Sequence, residues 1–409
     1  MTYVIGILLV AYAAGVLSLV WHIVRTALLV KPAVESLSAL DASRPLPAID
    51  IVVPVKDEEE NITRCLKSII AENYPNARVY VVNDRSTDGT PQAVAGFQKD
   101  HPEIERLDIT HLPEGKYGKP HAVHQLAPRL KGDIILFVDS DIILKPGCLR
   151  AIADIMERDN LDWYAAYGDP DLTQFWERLL APIFGAMAYS WYDPRKISDP
   201  AWPDAIGSGF MVARRTSYEA IGGHAGVMEQ YDEDSALLRN AKRAGQKVLF
   251  TISPDLYKVK LYGDLQRTIK GFSRTLIGGL KTFTRFIITI NALQFVSLMP
   301  IGMLILLGIL RAAGVAVPFA DIWLGVAASH LVLSNILAWQ IYRTAGIPLS
   351  TAILHPIGSL VAIWVCSRAA RDLRRGKPIT WRGTSYDSQA MESTLKRGGT
   401  GEPYATPRG

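Results

Sequence analysis

Residues 4–24 (VIGILLVAYAAGVLSLVWHIV) carry no acidic or basic side chain apart from His22. About twenty apolar residues match the hydrocarbon thickness of a bilayer, so the pattern predicts an N-terminal transmembrane helix within 1–30. A cleaved signal peptide is the rival, but no basic stretch precedes the segment and no small-residue cleavage pattern follows it. From about 47 to 262 the texture changes to short β-rich runs, IDIVVPV (49–55), ARVYVVND (77–84) and DIILFVDSD (133–141), alternating with polar helical stretches. That alternation predicts an α/β domain with a largely parallel sheet. Each run ends on a polar or acidic residue, and ligands of open α/β sheets bind beyond the carboxyl ends of the strands. Residues 263–286 mix apolar and basic positions at helical spacing, the pattern of a helix lying in the membrane interface or of an ordinary surface helix. Three apolar segments follow at about 287–310, 321–342 and 349–367, with Pro300, Pro348 and Pro356 as kinks or boundaries. Residues 368–409 form a basic tail whose Gly, Ser and Thr-rich end is expected to be disordered.

Composition agrees with a membrane protein: 49% of the residues are hydrophobic and the net charge is only +4. Basic residues concentrate near the C-terminus, which suits an anionic membrane face and leaves a nucleic-acid role without support. Cys65, Cys148 and Cys366 lie far apart, so neither a zinc cage nor a disulfide framework is indicated.

Three acidic elements carry the candidate chemistry. In VVNDRSTDGT (81–90) a β-run stops at Asn83-Asp84, where Asp84 could accept hydrogen bonds from a uracil imide or a ribose hydroxyl. A turn with Ser86 or Asp88 capping the next helix explains the same residues. In FVDSDIILKPG (137–147), strand alternation puts Asp139 and Asp141 on one face, where they repel. A divalent cation, Mg2+ or Mn2+, would relieve that repulsion and leave positions open for a nucleotide diphosphate, the alternative being an accidental surface pair. In YDEDSALLRNAKRAG (231–245), Glu233 and Asp234 open a helix, which by itself is ordinary dipole compensation. The small-residue loop IGSGFMVARR (206–215) would let a sugar ring approach the backbone. The apolar, aromatic stretch 179–196 is either an acceptor entrance or a core helix.

In order along residues 49–245, the chain shows VPVKDEEENI (53–62), NDRSTD (83–88), GKPHA (118–122), DSD (139–141), GSGFMVAR (207–214) and Glu233-Asp234. This set resembles the family 2 inverting glycosyltransferases, and the flanking membrane segments resemble members that glycosylate lipids such as ceramide, hopanoids or carotenoids. The resemblance implies a GT-A (Rossmann-like) catalytic domain at 47–262 with one N-terminal and about three C-terminal transmembrane or re-entrant helices. It implies that Pro54, Glu58, Asp84, Lys119, Asp139, Gly207 and Gly209 bind the nucleotide sugar, that Asp141 and Asp139 hold the cation, and that Asp234 is the catalytic base. Glu233 and Arg274 are assigned more loosely to the acceptor or the diphosphate.

Two departures stand out: Asn83 replaces the first aspartate of D-D-x-S-x-D, and the Q-x-x-R-W motif of processive synthases survives only as GFSRT (271–275), with Arg274. The expected activity is therefore metal-dependent hexose transfer from a nucleotide sugar, a UDP-sugar by preference, to a membrane lipid. A processive polysaccharide synthase and a glycan transporter component are the alternatives. The expected location is the bacterial inner membrane with the catalytic domain cytoplasmic, the side on which Arg25, Lys31 and Arg44 place it. Three C-terminal spans would then put the tail outside, against the preference of Arg368, Arg371, Arg374, Arg375, Lys377 and Arg382. A re-entrant 349–367 removes that conflict. WRGTSY (381–386) resembles a tail pattern of lipid-directed members.

Overall fold

The computed structural model describes residues 2–29, 46–377, 379–381 and 384–386. The expected disorder at 387–409, and Lys31, Arg44 and Arg382 of the charge argument, lie outside the described residues. The chain divides into two units, one of residues 32–171, 191–261 and 375–409, the other of residues 1–31, 172–190 and 262–374.

The first unit is built on ten strands: β1 (Ile49–Val55), β2 (Ala77–Asp84), β3 (Ile104–Ile109), β4 (Ile134–Val138), β5 (Ile142–Leu144), β6 (Trp163–Tyr167), β7 (Asp169–Asp171), β8 (Phe210–Arg214), β9 (Val248–Ile252) and β10 (Tyr257–Lys260). Seven form one mixed sheet in the order β3-β2-β1-β4-β8-β6-β9. β3, β2, β1 and β4 run parallel, and β8 enters antiparallel to β4 and β6. Both faces are covered: Ile51, Val53 and Leu136 enter one apolar cluster, while Val52, Ile135 and Phe137 enter the other. That explains why these strands read as nearly continuous apolar runs rather than as alternation. A second sheet, β5-β10-β7, lies beyond β4 in the chain, and a short antiparallel pair, β11 (Ile379–Trp381) and β12 (Thr384–Tyr386), occupies the WRGTSY segment. Because β4 is parallel to β1 and β2, the ends of all three that carry Val55, Asp84 and Val138 fall on one edge of the sheet.

The second unit is helical. Three of its helices are long and apolar enough to cross a membrane: Thr2–Trp21, Phe283–Ala312 and Ala320–Arg343. Two C-terminal helices of that kind are present among the described residues, not the three expected. The stretch 349–367 breaks into Leu349–Ala352 and His355–Arg374. From His355 to the first charge at Arg368 the latter rises only about 20 Å, short of the roughly 30 Å hydrocarbon core. The helix Phe283–Leu293 continues past Pro300 through a π-turn at Gln294–Leu298, which accommodates the missing proline N–H.

Most of the apolar stretch at 179–196 does not join the core of the first unit. Its helix, Phe175–Trp191, belongs with the membrane helices for residues 175–190. Leu179 and Ile183 pack so close to Gly358 that a Cβ there would lie 2.8 Å from Ile183 Cδ1, and Phe184 stacks on Phe272 at 4.1 Å. Tyr342 Oη donates to the Leu179 carbonyl at 2.6 Å. Buried Glu177 ties this helix to the residues just ahead of the helix Leu265–Leu280, accepting from the amides of Gln174 (3.0 Å) and Gly263 (2.7 Å). Phe272 stands on the helix Leu265–Leu280, which buries Thr268, Gly271, Phe272, Leu276, Ile277 and Leu280 and exposes Arg267 and Lys270.

Candidate active site

At the strand-end edge, two loops lock each other before any ligand is considered. Asp57, at φ 51°, accepts from the Thr87 amide at 2.7 Å and donates its own amide to Ser86 Oγ at 3.0 Å. The Glu58 amide donates to Thr90 Oγ1 at 2.8 Å, and Glu59 accepts from the Gly89 amide at 3.0 Å. Asp88 caps the helix Thr90–Asp100 by accepting from the Thr90 amide at 3.0 Å. Thus Asp57, Glu59, Ser86 and Thr90 fix the loops after β1 and β2, leaving the Glu58 carboxylate supported by Asn61 at 2.7 Å. Pro54 is half-buried in β1 opposite Val82.

Asp84 ends β2 as a buried carboxylate held by both ends of the Arg85 guanidinium, at 2.7 and 3.0 Å. A Cβ on Gly118 would collide with it, so the glycine opening the helix Gly118–Leu126 admits this carboxylate. Asn83 donates to Asp108 on β3 at 2.8 Å. An aspartate at 83, as in the D-D-x-S-x-D pattern, would set two carboxylates face to face. The departure therefore has a local cause in Asp108, which sequence spacing did not reveal.

β4 stops at Val138, so Asp139 and Asp141 are brought together by a turn, with Ile142 N donating to the Asp139 carbonyl at 3.1 Å, rather than by strand alternation. Gly209 and Gly207 serve the site from the facing segment. The Asp139 carboxylate lies where a Cβ of Gly209 would be, and Asp234 lies where a Cβ of Gly207 would be. The two glycines thus make room for two acidic residues of the site.

Lys119 joins these parts. Its ammonium lies 2.9 Å from Asp139 Oδ1, 2.9 Å from Glu233 Oε1 and 3.2 Å from Asp234 Oδ1. One cation thereby gathers the D-x-D turn and the first turn of the helix Glu233–Arg243. Burial lowers the affinity of Lys119 for its proton, but Asp139, Asp234 and Glu233 more than reverse this and hold it well above the usual lysine range. Burial and Glu233 push the Asp234 carboxyl well above the usual carboxylate range despite Lys119. Burial, with Asp139 and Glu58 beside it, pushes Asp141 up to about 7. The cluster holds more negative charge than its single lysine balances. Glu58, Lys119, Asp139, Asp141, Glu233 and Asp234 are thus brought together, whereas Arg274 stands in the other unit, on the helix Leu265–Leu280.

Sequence reasoning missed Arg239. It is 2% exposed and pairs with Asp232 at 2.9 Å, immediately before Glu233 and Asp234, and more distantly with Asp204 at 3.8 Å. A basic residue in a helix reads as solvent-facing, and only its apolar neighbours Leu237, Leu238 and Ala241 could have marked it as buried.

Residues 50–222 match the family model Glycosyl transferase family 2. The mixed sheet with its parallel half, and this match, make the segment a family 2 glycosyltransferase domain of the GT-A type. Beta-monoglucosyldiacylglycerol synthase of Nostoc sp. is 30% identical over 118 residues, 28% of this chain and 25% of that protein. An N-acetylglucosaminyltransferase of Rhizobium meliloti is 38% identical over 101 residues, 24% of this chain and 23% of that one. Among solved structures, the mannosyltransferase PcManGT of Pyrobaculum calidifontis, in complex with GDP-Man and Mn2+, aligns over 98% of both chains with a TM-score of 0.48 and 18% identity. The chain spans about a quarter of the length of the first curated relatives it matches. The family match ends at 222, ahead of Glu233 and Asp234, so their part in the site rests on geometry.

Proposed function

We propose that the protein transfers one hexose, with inversion, from a nucleotide-diphosphate sugar to a hydroxyl of a membrane lipid. The observation that carries this reading is the bridge from Lys119 to Asp139, Glu233 and Asp234, which draws the acidic turn after β4 and the Glu233–Asp234 helix start into one site. The Nostoc relative, named a beta-monoglucosyldiacylglycerol synthase, and the three apolar helices found among the described residues favour a lipid acceptor.

The donor set suits a divalent cation. Asp139 and Asp141 are hard oxygen ligands whose mutual repulsion a cation relieves, and Glu58 adds to that repulsion. Among the described residues no three His, Cys, Asp or Glu side chains form a group able to hold an ion alone. Mg2+ and Mn2+ take one or two carboxylates and share the remaining positions with substrate phosphates. When bound, such an ion would neutralise charge on the diphosphate leaving group. Glu58 and Asp84 would hold the nucleoside, with Arg85 releasing part of its grip on Asp84.

Asp234 takes the acceptor proton. Burial beside Glu233 makes its carboxylate a stronger base than a free one, and a base with a raised pKa gains more by accepting the hydroxyl proton as the bond to the anomeric carbon forms. Attack from the face opposite the diphosphate inverts the centre in one displacement, so no covalent intermediate is required. Replacing Asp234 by Asn should leave nucleotide-sugar binding in place and lower turnover at least about a hundredfold. Turnover near that of the native protein would remove Asp234 from this role.

A further inference from the structure

Lys119 is placed oddly for a residue whose only task is to meet phosphate. Its ammonium is engaged by three carboxylates, those of Asp139, Glu233 and Asp234. Asp139, one of these partners, is also one of the two carboxylates that would hold a divalent cation. A dication brought to Asp139 alone must compete with the ammonium for the Oδ1 atom 2.9 Å away and experience its repulsion. A nucleoside diphosphate changes that balance, because its phosphate charges give both cations a partner and can draw the lysine off the carboxylates.

We infer that Lys119 holds the cation's place in the nucleotide-free enzyme, so that divalent metal binds weakly until the nucleotide diphosphate arrives and takes the ammonium. The consequence is positive coupling between metal and nucleotide, equal in both directions. It keeps the metal from occupying the acidic site without the substrate it serves. The inference rests on the cation assignment of the proposed function.

The test is Mn2+ binding to the full-length protein in detergent, measured by calorimetry or electron paramagnetic resonance with and without UDP or GDP. Native protein should bind Mn2+ weakly alone and at least about tenfold more tightly with the preferred diphosphate. Lys119→Met should bind Mn2+ at least about tenfold more tightly than native protein in the absence of nucleotide, with most of the coupling lost. Lys119→Arg, which keeps the charge, should retain weak binding. Lys119→Gln supplies the same reading as Met with a polar side chain, in case the apolar variant does not fold. Nucleotide-free affinity that is unchanged or weaker in both uncharged variants, with coupling intact, overturns the inference and leaves the proposed function standing. Absence of any Mn2+ binding to native protein, with or without either diphosphate, overturns both.

Discussion

Asp141 shows how much a single carboxyl can report on this site. With its pKa pushed from the ordinary 3.8 to about 7, it takes up a proton on folding. A carboxyl raised in this way stabilises the fold fully below its unfolded value, and that contribution is lost as pH rises through about 7. A cation held by Asp141, as proposed above, would displace the same proton, so it should gain affinity over that window and level off above it. The rise in unfolding temperature caused by saturating Mn2+ should therefore be larger at about pH 8 than at about pH 6. Equal shifts at both would contradict the placement of metal at Asp141. The acidic pair was legible in the sequence because adjacent like charges need an explanation wherever they fall. The partnership of Lys119 was not. It joins residues up to 115 positions apart, Lys119 with Asp234, and motif order does not reveal which side chains touch.

At the scale of elements, the helix Glu233–Arg243 must present two acids in its first turn, and a buried arginine two turns along makes that possible. Arg239 ties the helix to Asp232 directly ahead of those acids. Arg239→Met removes one partner of a buried pair, so it should lower stability by about 3 kcal/mol or more. Denaturant unfolding measures this, and a loss under about 1 kcal/mol would mean that the pair is not what anchors the turn. The strands were readable because β1, β2 and β4 are apolar runs ending in acids. The helix Phe175–Trp191 was not readable as a companion of the membrane helices, since its apolar length is that of a core helix and its partners, Tyr342, Phe272 and Gly358, come much later in the chain.

For the whole molecule, the count of candidate spans bears on the conflict between three C-terminal spans and the basic tail. Among the described residues one N-terminal and two later helices are long enough to cross, and if all three cross, the chain after Arg343 is back on the side where the domain after the first helix lies. We propose that both that domain and the basic tail are cytoplasmic, with 349–367 not crossing, as the arginines from Arg368 onward favour. Cys65, Cys148 and Cys366 are buried, so Ser388→Cys adds a reporter thiol to the tail. A membrane-impermeant maleimide should label it only after the membrane is opened, and labelling on intact cells would reverse the orientation. The central claim, one sugar placed on a lipid with inversion, is tested most directly by the product. Purified protein would be offered α-linked UDP-glucose, UDP-galactose and GDP-mannose with a membrane lipid extract, and the labelled lipid analysed by mass spectrometry and proton NMR. A lipid carrying one β-linked hexose is the result expected here. An α-linked sugar would contradict the single displacement, and a lengthening glycan chain would contradict transfer of one sugar to a lipid.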